Sequence, residues 1–427
     1  MVKRHRKITV TLFLAWLFIF PLKGKNAEIR AEIKRLTFSG NNEVHYPCLS
    51  DDGQWMLYVL EEKDGDQTIK VIKVMNIEDK REIELFRSGE KKAPPPFESA
   101  YLEVGSKPPL LSGNGKVAVF SLSLSTPENI LDHYLAIINT DASDLNIIDF
   151  PNETLKGKDY EDLYLRDTSW ERVSNYAVSA DGERVACALK GQLGPSRYGN
   201  PSAIVLLDVR SKRQRTLLAP DFDGSQWSWQ SFPCRPFTGG GWAFNLSGNG
   251  ETLVFGAQSS ADKTDYDLYI TDWQGEEIKK LTDFHDRWFS QADISHDGQK
   301  IVFFYNGQKK DGMGTYTIFS DGSGLKFIES IVAPKVELFD LSPDGRYILF
   351  KHVYKGMILD LLTGKEMAAF DEETPGYIKG LVPMDFPRFP AFWSPRITAI
   401  NGERTLVIGP PQGKERPEVY LLILKQR

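Results

Sequence analysis

An all-β propeller built of four-stranded antiparallel blades is the fold class that this 427-residue sequence predicts. Three observations predict it. A ten-residue phrase recurs six times: LSDDGQWMLY from Leu49, LSGNGKVAVF from Leu111, VSADGERVAC from Val178, LSGNGETLVF from Leu246, ISHDGQKIVF from Ile294 and LSPDGRYILF from Leu341. Each copy closes on a continuously apolar run such as KIVFF or YILF, the signature of a strand buried on both faces of its sheet. No segment shows sustained helical periodicity, which a solenoid of strands and helices would need.

Within each phrase the Asp-Gly or Asn-Gly pair between apolar segments is a strong hairpin signal, and a two-residue type I′ turn is the expectation. A second hairpin usually follows, in AIINTDASDLNII (Ala136–Ile148), AIVLLDVRSKRQRTLL (Ala203–Leu218) and DLYITDWQGEEIKKLT (Asp267–Thr282). Two hairpins per repeat make a four-stranded meander, and meanders stacked face to face make blades. The turn glycines stand at 53, 115, 182, 250, 298 and 345, with a degenerate seventh at Gly402 in INGERTLVIG, so seven blades are expected and six are the alternative. The N-terminal piece EIKRLTF (Glu32–Phe38) has no strands of its own before it. It is expected to complete the last blade by pairing with EVYLLIL (Glu418–Leu424), which closes the ring.

The phrases RLTFSGNNEVHYPCLSDDGQWMLYV, SPDGRYILF and DLYITDWQGEEIKKLTD resemble the TolB-like propeller repeat of exported bacterial proteins, and the resemblance covers residues 30–427. It implies an extracytoplasmic interaction module. TolB itself carries a separate α/β domain before its propeller, for which this chain leaves no room, so the resemblance implies the propeller alone.

Residues 1–27 read as a signal peptide or an N-terminal membrane anchor: a basic MVKRHRK leads into fifteen uncharged residues, Ile8–Leu22. Residues 28–427 form the propeller, placed in the periplasm or secreted, with membrane contact only through the leader if that stays uncleaved. Removing 1–27 takes away six Lys/Arg and no Asp/Glu, so the formal charge goes from −6 to −12. An acidic body without Lys/Arg clusters is a poor ligand for nucleic acid. The three cysteines, Cys48, Cys187 and Cys234, are too few and too scattered for a disulfide framework or a CxxC metal pair. Small buried thiols are favoured over a single disulfide.

The turn glycines are 62, 67, 68, 48, 47 and 57 residues apart, against about 40–45 for a lean blade. The surplus falls in two kinds of connection. Second-to-third-strand loops occupy Ser123–Tyr134, Lys190–Ser202 and Gly256–Asp267; blade-to-blade segments occupy 88–106, 151–173, 219–242 and 371–390. In a meander both kinds emerge on one face of the disc, opposite the short turns. Five of the nine tryptophans, at 170, 227, 229, 242 and 288, fall between blades, the first four of them in these segments. The expected binding surface is therefore this loop-rich face, around Trp170, Arg172, Trp227, Trp229, Arg235, Trp242, Arg287 and Trp288, with aromatic and arginine anchors for a partner protein of the envelope or secreted space.

Chemistry is harder to read. His45 and His285 each precede an innermost strand, with Asp286 and Asp293 near them in sequence, but this is too thin a donor set for a metal site. His296 lies in a repeat turn, where a solvated residue is expected. Asp162, Arg166 and Asp167 crowd one loop, and salt bridging accounts for them. Carboxylate pairs such as Asp51–Asp52 and Glu61–Glu62 read as solvated charges in turns or loops. No GxSxG elbow occurs. No catalytic residue, metal or cofactor is assigned, and the leading function is a non-catalytic interaction scaffold of the bacterial envelope. The alternative is a carbohydrate-binding or carbohydrate-active propeller that works in the central channel on a glycan.

Overall fold

The computed structural model describes residues 29–36, 43–65, 67–90, 99–103, 108–125, 131–148, 172–190, 202–217, 243–258, 266–284, 289–305, 314–328, 339–352, 355–370, 403–409 and 418–426. After β1 (Ile29–Leu36) the strands fall into blades in chain order. The first is β2 (Glu43–Leu49), β3 (Trp55–Asp64), β4 (Gln67–Asn76) and β5 (Glu82–Arg87), paired in that order. The second comprises β6 (Gly89–Glu90), β7 (Ser99–Glu103), β8 (Leu110–Leu111), β9 (Val117–Ser125), β10 (Leu131–Asn139) and β11 (Asn146–Ile148). The third is β12 (Arg172–Val178), β13 (Arg184–Lys190), β14 (Ser202–Asp208) and β15 (Arg213–Leu217); the fourth is β16 (Phe244–Leu246), β17 (Thr252–Gln258), β18 (Tyr266–Asp272) and β19 (Ile278–Lys280). The fifth is β20 (Phe289–Ile294), β21 (Lys300–Tyr305), β22 (Gly314–Phe319) and β23 (Lys326–Ile328). The sixth is β24 (Phe339–Leu341), β25 (Tyr347–His352), β26 (Lys355–Asp360) and β27 (Lys365–Phe370). β28 (Glu403–Gly409) and β29 (Glu418–Gln426) form a last sheet with β1, in the order β1–β29–β28. Seven antiparallel sheets thus stand among the described residues.

The two chain ends meet as the sequence suggests. Leu36 is in register with Val419 and Ile29 with Gln426. Leu36 and Val419 are both buried against Val44, Met56 and Tyr58 of the first blade. β2 lies against β28 and β29, so the first and last sheets adjoin and the ring closes.

The core is a set of slabs between neighbouring blades. Along β3, Leu57 and Val59 face Phe120 and Leu122 of the second blade, while Met56, Tyr58 and Leu60 face the last sheet. The period-2 geometry of a strand sends successive side chains to opposite faces. With a hydrophobic slab on each side, every position along the strand must be apolar, which is the physical reason for the unbroken runs.

The repeated turn differs from expectation. Only its glycine has a positive φ; Asp52, Asn114, Asp181, Asn249, Asp297 and Asp344 do not. The turn is therefore not type I′. Its acidic residue serves another end: Ser179 Oγ donates to Asp181 Oδ1 (2.5 Å) and accepts from Arg184 N–H (3.0 Å), while Asp181 Oδ1 accepts from Glu183 N–H (2.9 Å). Ser50 with Asp52 and Ser342 with Asp344 repeat this bonding. The Ser-x-Asp-Gly spelling is thus the set of side-chain acceptors that a five-residue hairpin needs for its amides.

The same turns also join blades. Asp51 N–H donates to Gly113 O (2.7 Å), Asn114 N–H to Ala180 O (2.7 Å) and Ala180 N–H to Gly248 O (2.7 Å). Asn249 N–H then reaches His296 O (2.8 Å), and His296 N–H reaches Pro343 O (2.7 Å). A chain of backbone bonds therefore runs from the first blade to the sixth along one face.

Two segments expected to be loops contain strands. Residues 88–106 hold β6 and β7, and β7 pairs with the far end of β9, Ser99 opposite Ser125. β9 and β10 extend to Ser125 and back from Leu131, which shortens the Ser123–Tyr134 connection. The long hairpin leaves an open edge beyond β8, and β7 covers it. Likewise β17 runs to Gln258 rather than ending at Gly256.

Candidate functional site

The strand order fixes two faces. In the first six blades each first-to-second-strand turn is five residues long: 50–54, 112–116, 179–183, 247–251, 295–299 and 342–346. The third-to-fourth-strand turns, 77–81, 140–145, 209–212, 273–277, 320–325 and 361–364, emerge at the same ends. The long connections 149–171, 191–201 and 218–243 all begin and end at the opposite ends. The division into a short-turn face and a loop-rich face follows from this alternation.

Of the eight residues expected on the loop-rich face, Arg172 lies within the described residues. It opens β12 at the loop-rich end of the third blade, in backbone register with Lys190, the last residue of β13. Trp170, Trp227, Trp229, Arg235, Trp242, Arg287 and Trp288 lie outside the described residues, as do His285, Asp286, Asp162, Arg166, Asp167, Cys234 and the leader 1–27.

Three of the innermost strands share a distortion towards the loop-rich end. Pairing slips between His45 and Cys48 in β2, between Val173 and Asn175 in β12 and between Phe289 and Gln291 in β20. Tyr46 sits at the first slip with a φ of 53°. Bulges of this kind bend a strand and re-aim its side chains, and they recur at the rims of β-structures.

At the first bulge, His45 Nε2 lies 3.5 Å from Glu61 Oε2, with side chains 26% and 28% exposed. The His45 imidazole beside it holds the Glu61 carboxyl below its usual range against the opposing effect of burial. Burial, and then the Glu61 charge, raise the Tyr46 phenol. His45 is therefore partnered by a carboxylate of its own blade. Glu61 and Glu62 are strand residues with partners, not loose turn charges; Glu62 Oε2 meets Arg87 Nη1 at 2.6 Å.

Asp293, considered beside the histidines, has a structural role instead. It is buried, its Oδ1 accepts from Asn245 Nδ2 (2.6 Å) and Ile294 N–H (3.0 Å), and its Oδ2 accepts from Leu341 N–H (2.9 Å). One carboxylate thus ties three successive innermost strands, β16, β20 and β24. His296 is exposed in its turn, with its ring over Gly248, where any Cβ would fall 2.2 Å from Nδ1. Cys48 and Cys187 are free thiols, and burial pushes the Cys187 thiol up. Among the described residues no group of three or more His, Cys, Asp or Glu is placed to hold a metal.

One feature contradicts the expectation of a body without basic clusters. Arg210, Lys212, Arg213 and Arg215 are all exposed at the outer edge of the third blade. The sequence signal, RSKRQR, was there to find, but net charge averages it away.

No protein-family model matches the sequence, and no curated protein matches it. Solved structures do. The chain is similar to an oligogalacturonate lyase in complex with manganese, with a TM-score of 0.56 at 11% identity over 93% of this chain and 96% of that one. It is similar to the β-propeller domain of the Trilobed protease from Pyrococcus furiosus, with a TM-score of 0.52 at 13% identity over 90% of this chain and 97% of that one. A prolyl endopeptidase gives a TM-score of 0.50 at 10% identity over 90% of this chain and 50% of that one. At such identities the likeness is one of fold: the chain is a β-propeller.

Proposed function

We propose that this chain is an exported, non-catalytic propeller of the TolB-like kind, a scaffold of the bacterial envelope that binds another envelope or secreted protein through its loop-rich face. The observation that carries the reading is the division of labour between the faces. Short turns of one repeated design are bonded blade to blade, while the long and mutually dissimilar connections emerge together on the other side. Individual loops on a rigid frame are how propellers and other repeat scaffolds present binding surfaces. The tryptophans and arginines at positions 170, 172, 227, 229, 235, 242, 287 and 288 supply the residue types that dominate protein interfaces. The basic, apolar leader and the repeat spelling support export and the TolB-like affiliation.

The test is affinity capture of tagged full-length protein from cross-linked envelopes of its host, followed by mass spectrometry. One stoichiometric partner, lost on changing Trp227 and Trp229 together to Ala, is the expected result. Capture that survives the double change in a folded protein overturns the site. A clean protein without any partner moves the function to the channel and to glycans.

A further inference from the structure

The outer edges of the blades are not alike in charge. In the first blade Arg87 meets Glu62 at 2.6 Å and Glu84 at 2.7 Å, and Lys73 meets Glu82 at 3.4 Å. In the fourth, Lys280 meets Asp267 at 2.8 Å and Asp283 at 2.5 Å. The third blade departs from this balance. Arg210 pairs with Glu183 at 2.7 Å, both well exposed, but Lys212, Arg213 and Arg215 have no ion pair among the described residues. Three cations without an ion pair stand here within four residues of a chain whose formal charge is −6, with Asp208 in register opposite Arg213.

These cations sit on an open strand. The sheet order β12–β13–β14–β15 places β15 outermost, and among the described residues nothing pairs with its outer edge. Arg213 and Arg215 are two residues apart in β15, so they share one face of the sheet, about 6.7 Å apart along the strand. An extended peptide has the same two-residue repeat. One that adds to this edge would satisfy the open backbone groups and place carboxylates at alternate positions against the two guanidiniums. A nucleic acid or an anionic lipid surface matches the charge but leaves the edge unpaired.

We propose that the outer edge of β15 docks an extended acidic segment of a partner protein, which adds a fifth strand to the third blade with Arg213 and Arg215 reading its alternate carboxylates. This site is separate from the loop-rich face and does not rest on the function proposed for it.

The test uses full-length protein and fluorescence anisotropy of labelled peptides of about ten residues that alternate Glu and Thr. The Glu–Thr peptide is expected to bind, and Arg213→Glu with Arg215→Glu to weaken it by about tenfold or more. Replacing its threonines by proline, which keeps the charge but removes backbone donors, is expected to weaken it comparably. A second variant, Arg213→Gln with Arg215→Gln, reports the same loss without charge reversal, with circular dichroism to confirm the fold. Failure of the Glu–Thr peptide to bind overturns the proposal, as does indifference to both double variants. Equal binding of the proline peptide, a single-stranded oligonucleotide or phosphatidylglycerol vesicles overturns strand addition in favour of a generic polyanion surface. Self-association of the charge-reversed variant, with no peptide binding by the unaltered protein, assigns the cations to guarding the edge against aggregation and overturns it too.

Discussion

The two faces of the disc are built on opposite plans. On the short-turn face one five-residue design recurs, each copy closing its own hairpin through a serine and an acidic or amide side chain, and the first five reaching the next blade through a backbone amide. On the loop-rich face the connections range from the two residues 353–354 to the segment 218–243, and they share no spelling. Where physics admits one solution per blade, the sequence repeats; where nothing in the fold constrains it, the sequence diverges. Repetition marks stability and divergence marks the surface left over for recognition. Damage to the repeated face is therefore expected to unfold the protein, and damage to the other to leave it folded.

The largest expected effect separates two glycines. Gly182 (φ +77°) would place a Cβ 2.6 Å from Val117 Cγ2 of the preceding blade, whereas Gly364 (φ +70°) has nothing within 4 Å. Both Ala variants bear the left-handed backbone, at about 1–2 kcal/mol. Gly182→Ala adds about 1–3 kcal/mol for forcing two blades apart. Denaturant melts of the two variants isolate the inter-blade share; equal losses would show that the repeated turn matters only within its own blade.

Next is the cap. Ser179 is fully buried, and its Oγ satisfies Arg184 N–H. Ser179→Ala strands that amide, for an expected loss of about 1–3 kcal/mol, read from the shift in denaturant midpoint. A neutral result would mean that the backbone alone sets the turn.

How much of this was legible follows from what each signal encodes. The hairpins, the slabs and the closure of Ile29–Leu36 onto Glu418–Gln426 could be read because periodicity and turn chemistry are local. The turn type could not, since Asp181 reads equally well as a left-handed residue and as a side-chain acceptor, and only the hydrogen bonds decide. β6 and β7 escaped notice because GEKKAPPPFESAYLEV carries three prolines and reads as a linker, whereas pairing with β9 depends on an edge left open elsewhere. Glu61 and Glu62 looked like loose charges because their partners, His45 and Arg87, are 16 and 25 residues away. The tryptophans that define the candidate surface could be chosen by type and segment only, which is why their test must be made on the molecule.

A smaller effect lies towards the loop-rich end of the first blade. The His45 imidazole, 3.5 Å away, lowers the Glu61 carboxyl, and burial opposes it. A depressed carboxylate contributes stability above the ordinary glutamate range and loses it as pH falls through the depressed value. His45→Ala is therefore expected to flatten the acid limb of the stability curve below about pH 5, by about 0.3–0.5 kcal/mol for so exposed a pair. An acid limb unchanged by the substitution would mean that the 3.5 Å contact carries no linkage.

The smallest expected effect is the sharpest test of the contrast between the faces. If Trp227 and Trp229 serve recognition, changing both to Ala removes about 0.5 kcal/mol of stability or less, as surface substitutions do, while abolishing partner capture. A buried tryptophan would instead cost about 3–5 kcal/mol on the same change. The two accounts of these rings thus differ by several kcal/mol in a single melt, before any partner is known. A large loss would make the segment 218–243 part of the frame, and the division between the faces would then be one of sequence style only. A negligible loss would leave two large aromatic side chains that the fold does not need, in a segment whose composition nothing in the blades dictates, and recognition is the physical use that remains for them.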